Sequence, residues 1–380
     1  MHGRLALLGR IKQRSFNMDR RNALVAGTSL LCAAGHVASL PSTPRVVFLN
    51  PGEPVERGKG PHWRMTAHFM AAAAETFGMR LEVLYAERDH LLMLRQAESV
   101  AQRSNPPDYI VIVNEKLAAL QMLQTLARLP SKVLLIHNDL TPEQRRKIGN
   151  EREQMRHWIG TATTDEASSE YRMMAELSRQ LGEREPMVIG ITGDRATPVS
   201  LERAQGVSDF IARAGRGQIL QLAFSDWSDA DAESKTHVLL SRYPQANVLW
   251  AANDSMALGA MRAVKARGAK VLVGGTGAWP NALTSLAEGG LAATVGSHFF
   301  IGAWAMVMLH DYHRGVDFAA HGGVRQKLDY MYVVNRDSAS RYDQAVYKRD
   351  GAFDFSIYSK ALHPKAGRYD FSLAPLLRNA

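Results

Sequence analysis

Short continuous apolar runs alternate along the chain with stretches in which apolar residues recur at the helical spacing. Continuous apolar runs at residues 45–49, 109–113 and 248–252 are too short for helices and are typical of strands buried on both faces of a sheet. After the third run, apolar residues recur at the helical period from Ser255 until Gly268, where a glycine fits the end of a helix. Short buried strands that alternate with helices of about 10–15 residues predict βαβ units and a parallel sheet.

The alternation occurs in two successive series. In the first, the predicted strands are 45–49, 80–85, 109–113 and 132–137, and the predicted helices are 63–77, 91–103 and 117–129. After a basic loop at 141–156, the second series has predicted strands at 187–192, 219–224, 248–252, 271–274, 292–295 and 330–335, and helices at 165–181, 201–214, 230–241, 255–267 and 296–313. Two such series predict an α/β protein of two doubly wound parallel-sheet lobes joined by a hinge, with the ligand held between them.

A chain of 380 residues is long enough for two domains of ordinary size, and we predict four regions. They are an export signal at 1–39, an N-terminal lobe at 44–159 plus 298–325, a C-terminal lobe at 160–297 plus 326–340, and an extension at 341–380. The extension has many Tyr and Phe residues among charged ones, without a clear period. Because so many aromatic residues argue against disorder, we expect it to pack on the surface of a lobe.

The N-terminal region has basic residues followed by an apolar, small-residue run from Ala23 to Ala34. That order is typical of an export signal, whereas an amphipathic helix would carry basic residues along one face. Arg20 and Arg21 directly before the run resemble a twin-arginine signal, and Met18 is a second candidate start that leaves a shorter signal. We therefore expect a periplasmic protein, exported by the Sec or the twin-arginine route.

The charge and the cysteine content of the chain argue against some classes of function. The formal net charge is +9, but the basic residues after the N-terminus are dispersed, so a basic soluble protein is favoured over one that binds nucleic acid. Cys32 is the only cysteine, which excludes an internal disulfide and a cysteine-based metal site. We expect no cofactor and no metal.

The stretch from Val248 to Gly268 carries the first candidate site residue. Asn253 follows a buried strand, and ligands of open α/β sheets bind outside the carboxyl ends of the strands. Its amide can both donate and accept hydrogen bonds. The segment Asn253 to Gly259 resembles the Asn-Asp-x-x-Ala-x-Gly segment of type I periplasmic binding proteins, the ribose-binding-protein-like receptors of sugar uptake, and of their LacI-type repressor relatives. In element order and motifs, the resemblance covers roughly residues 45 to 340.

The resemblance implies further ligand-binding residues in the N-terminal lobe. His62 and Trp63 stand where the family has an aromatic pair that stacks on a sugar ring, although Trp63 also suits a helix start packed on the sheet. His137 and Asn138 stand where sugar-binding members often have Asp-Arg. Asp139 fits a turn or helix cap better than a ligand contact.

In the C-terminal lobe, the resemblance implies four more residues. Arg203 matches the family's Arg-x-x-Gly helix segment, in which the arginine donates to ligand oxygens, although an arginine on a helix is usually solvated. Trp227 stands where relatives have a cleft aromatic residue. Thr276 replaces the aspartate of the family's Gly-x-Asp-Gly segment, and the next cleft position falls at Ser297 or His298.

These departures from the family pattern bear on ligand charge. Two carboxylates are lost while Arg203 is retained, and a buried charge without a partner is costly. We therefore expect a ligand with a carboxylate, a phosphate or dense acceptor oxygens. Affinity should rise as the pH falls through the histidine range if His62, His137 or His298 contacts that group.

The preferred function is a periplasmic solute-binding receptor that delivers a small, sugar-like ligand to the membrane permease of an ABC transporter. The alternative is a ligand sensor that signals to a membrane histidine kinase or cyclase. A LacI-type repressor would need a helix-turn-helix where residues 1–40 have an apolar signal. The sequence shows no familiar catalytic motif, so we expect no enzyme. We also expect a monomer.

Overall fold

A computed structural model describes residues 43–55, 60–349 and 352–378, so the predicted export signal lies outside the described residues. The strands are β1 (Arg45–Asn50), β2 (Arg80–Tyr85), β3 (Tyr109–Val113), β4 (Lys132–His137), β5 (Trp158–Thr164), β6 (Met187–Thr192), β7 (Gln218–Phe224), β8 (Val248–Ala251), β9 (Leu272–Gly277), β10 (Ala293–Gly296), β11 (Arg325–Leu328) and β12 (Tyr332–Asn335). The α-helices are α1 (His62–Thr76), α2 (His90–Ala101), α3 (Ala119–Leu126), α4 (Pro142–Ile148), α5 (Glu166–Leu181), α6 (Pro198–Ala214), α7 (Asp229–Arg242), α8 (Asp254–Ala266), α9 (Pro280–Ala287), α10 (Ile301–His313), α11 (Arg336–Val346) and α12 (Ala374–Arg378).

The strands form two sheets of six strands each. The first has the order β11-β5-β4-β3-β1-β2, and all its pairs are parallel. The second has the order β12-β10-β9-β8-β6-β7, in which only β12 runs antiparallel to its neighbour. Helices alternate with the strands, so each sheet and its helices form one lobe. The predicted fold class, two doubly wound α/β lobes, is confirmed.

The chain passes between the sheets at three places. It leaves the first sheet after Thr164, returns after Gly296 and leaves again over residues 329–331. The predicted lobe boundaries at 159/160 and 325/326 are therefore wrong, because they cut β5 and β11. The apolar pattern does not predict either strand, because β5 carries three buried threonines and β11 alternates basic and uncharged residues.

Several helices also differ from the sequence-based expectation. The predicted loop at 141–156 contains α4, which begins with a capping box between Thr141 and Gln144. The predicted strand 271–274 continues to Gly277, and α9 follows directly after it with Pro280 at its first position. A helix of eight residues has too few turns to show a clear apolar period in the sequence.

Close packing of α5 on α6 brings the second lobe's charged residues together. A Cβ at Gly206 of α6 would lie 2.2 Å from the carbonyl oxygen of Ala167 in α5. Only glycine allows this approach without a shift of the backbone. Arg203, one turn before Gly206, is consequently held against the N-terminal turns of α5.

The C-terminal extension packs on both lobes, so the predicted contact with one lobe is incomplete. Helix α11 contacts α9 and β12 of the second lobe, and the predicted boundary at 340/341 falls inside this helix. Farther along, Phe355, Tyr358 and Phe371 contact the ring of Trp304 on α10 of the first lobe. Within the described ranges, no helix combines the length and apolar character needed to cross a membrane.

Candidate functional site

A cavity lies between the lobes at the carboxyl ends of the parallel strands, where open α/β sheets place their ligands. Its first-lobe lining consists of His62, Trp63, Arg88, Glu115, His137, Asn138 and His298, and its second-lobe lining of Thr197, Val199, Arg203, Trp227, Asn253 and Trp279. About 450 Å³ of space lies between these atoms, including the space at the mouth. Both lobes therefore contribute to the lining.

Aromatic rings form the first-lobe wall. The rings of His62 and His298 are stacked with centroids 4.2 Å apart, and His62 also lies 4.7 Å from His137. The ring of Trp63 meets His137 edge to face at 5.0 Å. His62 and Trp63 begin α1, and His137 ends β4, so the βα junctions bring them together.

Residues of the cavity lining carry buried polar side-chain atoms without a hydrogen-bond partner in the protein. They are both ring nitrogens of His62, Nε of Arg88, Nδ1 of His137, Nδ1 of His298, both amide atoms of Asn138, Oγ1 of Thr197 and Nε1 of Trp279. Native proteins pair most of their buried polar groups with protein or water, so a cluster of unpaired ones requires a partner. Their convergence on one cavity is the signature of a polar ligand site.

Burial keeps the three histidines neutral. It is the main cause that lowers the pKa of His62 and His298 well below the usual value, and it lowers the pKa of His137 to about 4. A neutral imidazole offers one donor and one acceptor. The expected rise of affinity through the histidine pH range loses its physical basis, because these rings stay neutral there.

Arg203 is paired inside the second lobe through two of its nitrogens. Its Nε donates to Oε2 of Glu166 over 2.8 Å, one terminal nitrogen donates to the carbonyl oxygen of Ala252, and Oε1 of Glu170 lies 3.8 Å away. Burial alone would raise the pKa of Glu166, but the charge of Arg203 lowers it, so Glu166 is ionised. The premise that Arg203 lacks a charge partner is therefore wrong, so the expected need for an anionic or oxygen-rich ligand group no longer follows from it.

Thr276 lies outside the cavity lining, so its predicted ligand contact is not formed. Its hydroxyl donates to Oε1 of Glu170 over 2.6 Å, and Trp250 donates to the other oxygen over 2.9 Å. Burial raises the pKa of Glu170 to about 7. Thr276 therefore helps to hold a carboxyl group behind the site.

Ser297 also lies outside the lining. It adopts a left-handed backbone conformation at the return to the first lobe, with φ of 79°, and its hydroxyl shares a 2.8 Å hydrogen bond with that of Tyr342. The alternative, His298, lines the cavity instead. Of these two neighbouring residues, His298 therefore faces the cavity and Ser297 does not.

Asn253 lines the cavity and also shapes it. Its Oδ1 accepts from the backbone N–H of Met256 as the N-cap of α8, and its Nδ2 donates to the carbonyl oxygen of Trp227 over 3.1 Å. Trp227 is in the left-handed region with φ of 73°, and its ring covers Gly193 so closely that a Cβ there would lie 2.0 Å away. Such strained positions are common at ligand sites.

Seven of the nine residues predicted from the sequence line the cavity: His62, Trp63, His137, Asn138, Arg203, Trp227 and Asn253. The residues missed were Arg88, Glu115, Thr197, Val199 and Trp279. All of them except Val199, which lies in the first turn of α6, stand in the connections that follow β2, β3, β6 and β9. Their position beyond a strand end was therefore the available signal.

Across the described residues, no group of three or more His, Cys, Asp or Glu could hold a metal ion.

Comparisons with known proteins give consistent matches. The family model for the periplasmic binding protein domain matches residues 56–316, more than half of the chain. Over 108 residues the chain is 33% identical to the HTH-type transcriptional regulator AscG of Escherichia coli, which covers 28% of this chain and 31% of the regulator. Over 119 residues it is 31% identical to the ribose import binding protein RbsB of Haemophilus influenzae, which covers 31% of this chain and 40% of RbsB. Less than half the length of these two relatives is thus matched.

A solved structure matches over a greater length. The crystal structure of a periplasmic sugar-binding protein from Pseudomonas fluorescens has a TM-score of 0.76 and 32% sequence identity, covering 88% of this chain and 99% of that one. The two-lobe architecture is therefore shared over nearly the whole of the neighbour.

Proposed function

The chain belongs to the periplasmic binding protein family, and from that premise we propose that it is a solute receptor whose lobes close on one small, neutral, hydroxyl-bearing molecule. The observation that carries the proposal is the set of unpaired buried polar atoms in the cavity between the lobes. A ligand that supplies their partners would stabilise the closed arrangement, because those atoms otherwise remain unsatisfied.

The chemistry of the lining favours a sugar or a related polyol. Hydroxyl groups both donate and accept, as neutral imidazoles and the amide of Asn138 require. Trp63, Trp227 and Trp279 add broad apolar faces suited to the C–H faces of a sugar ring. The names of relatives point the same way, since RbsB is a ribose import binding protein and the solved neighbour is a sugar-binding protein.

The proposed partner is the membrane permease of an ABC importer, reached by an exported, monomeric receptor in the periplasm. The import function named for RbsB favours transport over the alternative of a membrane sensor. Deletion of the gene should abolish uptake of the radiolabelled ligand. Normal uptake together with a lost transcriptional response to the ligand would favour the sensor.

Ligand binding can be tested by isothermal titration calorimetry with D-ribose, D-allose, D-galactose, D-glucose and myo-inositol. We expect saturable binding of at least one of them with one site per chain and a Kd in the micromolar range or below, about −8 kcal/mol or stronger. The absence of binding to every compound would contradict a site for neutral polyols. Tighter binding of D-glucuronate or D-galacturonate than of the neutral sugars would contradict the proposed ligand charge.

A further inference from the structure

Two carboxylates lie one helical turn apart on α5, behind the cavity. Glu166 and Glu170 are 1% and 0% exposed, and both face Arg203. Glu166 makes the direct contact, a 2.8 Å hydrogen bond to Nε, whereas Glu170 lies at 3.8 Å and accepts hydrogen bonds from Trp250 and Thr276. Glu166 therefore pairs directly with the charge of Arg203, whereas the hydrogen-bond donors of Glu170 are uncharged.

The Glu166–Arg203 pair sets the charge that the second lobe presents to the ligand, while Arg88 and Glu115 are the charged residues of the first-lobe lining. Arg203 lines the cavity, but its charge is compensated from behind by Glu166 and its guanidinium is fixed by the carbonyl oxygen of Ala252. An anionic ligand would approach an arginine already paired with a carboxylate 2.8 Å away. Without that carboxylate, the arginine would be a buried cation in need of a partner.

We propose that Glu166 is a specificity-determining residue, which positions and neutralises Arg203 so that the cavity selects neutral over carboxylate-bearing ligands. This inference rests on the proposed function. Glu166 does not line the cavity, so it acts through Arg203. The acid also lies at the passage between the lobes, directly after Asp165, with Oε1 3.9 Å from Nδ1 of His137 in the first lobe.

The test compares Glu166→Gln with Glu170→Gln at pH 6. Glutamine keeps the shape of Glu166 and an oxygen that accepts from Arg203, but it removes the charge. The pKa of Glu170 is about 7, so that carboxyl group is mostly protonated at pH 6 and Glu170→Gln changes little charge. The probes are two matched pairs, D-glucose with D-glucuronate and D-galactose with D-galacturonate, titrated by calorimetry.

We expect Glu166→Gln to lower the ratio of the uronate Kd to the aldose Kd at least tenfold, and Glu170→Gln to leave it within twofold. A merely structural role of Glu166 would weaken both members of a pair equally, and that result would overturn the inference. An equal shift in the ratio by Glu170→Gln would also overturn it. If the unaltered protein binds neither an aldose nor a uronate of these pairs nor any other neutral polyol, the proposed function fails, and the inference fails with it.

A second variant covers the case in which Glu166→Gln does not fold, judged by its thermal unfolding. Arg203→Gln leaves the carboxylate of Glu166 without its cation. Burial then raises the pKa of Glu166, so the ratio of the uronate Kd to the aldose Kd should rise with pH in Arg203→Gln, as this carboxyl group ionises, by more than in the unaltered protein. A ratio with the same pH dependence in folded Arg203→Gln and in the unaltered protein would contradict control of ligand charge by this pair.

Discussion

The imidazoles of His62 and His298 stack with their centroids 4.2 Å apart and their planes inclined by 2°. Protonation of either ring would place a cation against its neighbour, and both rings are buried. Burial is the first cause of their lowered pKa values; the charge of His298 adds to it for His62, and the charges of Arg203 and His137 add to it for His298. Both rings of the stack are therefore neutral near pH 7.

The first prediction concerns stability against pH. The folded pKa values of His62, His137 and His298 lie below the ordinary value of about 6.5, so only the unfolded chain takes up these protons as the pH falls below about 6.5. Each histidine should lower the free energy of unfolding by up to about 1.4 kcal/mol per pH unit between pH 6 and pH 4.5. Urea unfolding of the unliganded protein across this range measures the slope.

His62→Gln provides the control for that slope. The raised pKa values of Glu170 and Asp254 act in the opposite sense, so the total slope mixes several groups. The difference between the unaltered protein and His62→Gln isolates one histidine, and the variant should show a smaller loss of stability on acidification. Parallel pH profiles for the two proteins would contradict a neutral, buried His62.

The second prediction uses Asn138, which is 2% exposed and has no protein partner for either amide atom. Asn138→Ala should weaken binding of the panel sugar by about 1–3 kcal/mol, because the ligand's hydroxyls lose their partner. Stability of the unliganded protein should stay unchanged or rise, since an unpaired amide is removed. Calorimetry and thermal unfolding measure the two effects, and Asn150→Ala, outside the cavity, is the control. A large loss of stability with unchanged affinity would show that Asn138 is structural.

The third prediction concerns the tryptophan faces. Trp63 and Trp227 line the cavity from opposite lobes. Replacement of either with Ala should weaken sugar binding by roughly 1–3 kcal/mol, the scale of a lost aromatic anchor. Trp227→Phe, which keeps an apolar face, should lose less. Ligand addition should also change the tryptophan fluorescence of the unaltered protein, and equal affinities of all variants would rule out stacking.

The fourth prediction concerns Asp311, a fully buried carboxylate on α10 that anchors the extension. It accepts hydrogen bonds from the backbone N–H of Lys360 and the hydroxyl of Tyr369, over 2.6 and 2.8 Å, and from Ser359. Asp311→Ala leaves these donors unpaired and should lower the free energy of unfolding by about 3–5 kcal/mol. Urea unfolding measures the loss, with the exposed Asp354→Ala as a control. A change below about 1 kcal/mol would contradict the anchoring role.

A fall in pH should weaken the hydrogen bonds by which Asp311 holds the C-terminal extension. Burial alone would raise the pKa of Asp311, but hydrogen bonds from His310, Ser359, Lys360 and Tyr369 lower it below the ordinary value. A carboxylate with a lowered folded pKa stabilises the fold above its unfolded pKa of about 4, and this contribution is lost as the pH falls through the folded value.

The sequence was most informative where burial and period agree. The run at 109–113 is wholly buried as β3, and the helix after Asn253 begins where the pattern predicts. The threonine-rich β5 was missed because its threonines are buried, and a contact such as that of Thr161, which donates to Glu151, is encoded by no local pattern.

The sequence predicted the positions of the site residues better than it predicted the charge of the site. His62, His137 and Asn253 stand at junctions after strands or at helix starts, and the order of elements brings them together. The partner of Arg203 could not be predicted, because Glu166 lies 37 residues earlier and meets it only through the packing of α5 on α6. The sequence therefore predicts an Arg203 without a charge partner, whereas in the structure Arg203 forms an ion pair with Glu166.

A crystal structure of the complex with the panel sugar that binds most tightly would show directly where the ligand lies. We expect one sugar between the lobes, with hydroxyls within hydrogen-bond distance of Asn138, Thr197 and His62 and a ring face against Trp63 or Trp227. A sugar bound outside this cavity, or a cavity filled only by water while the sugar is bound elsewhere, would contradict this expectation.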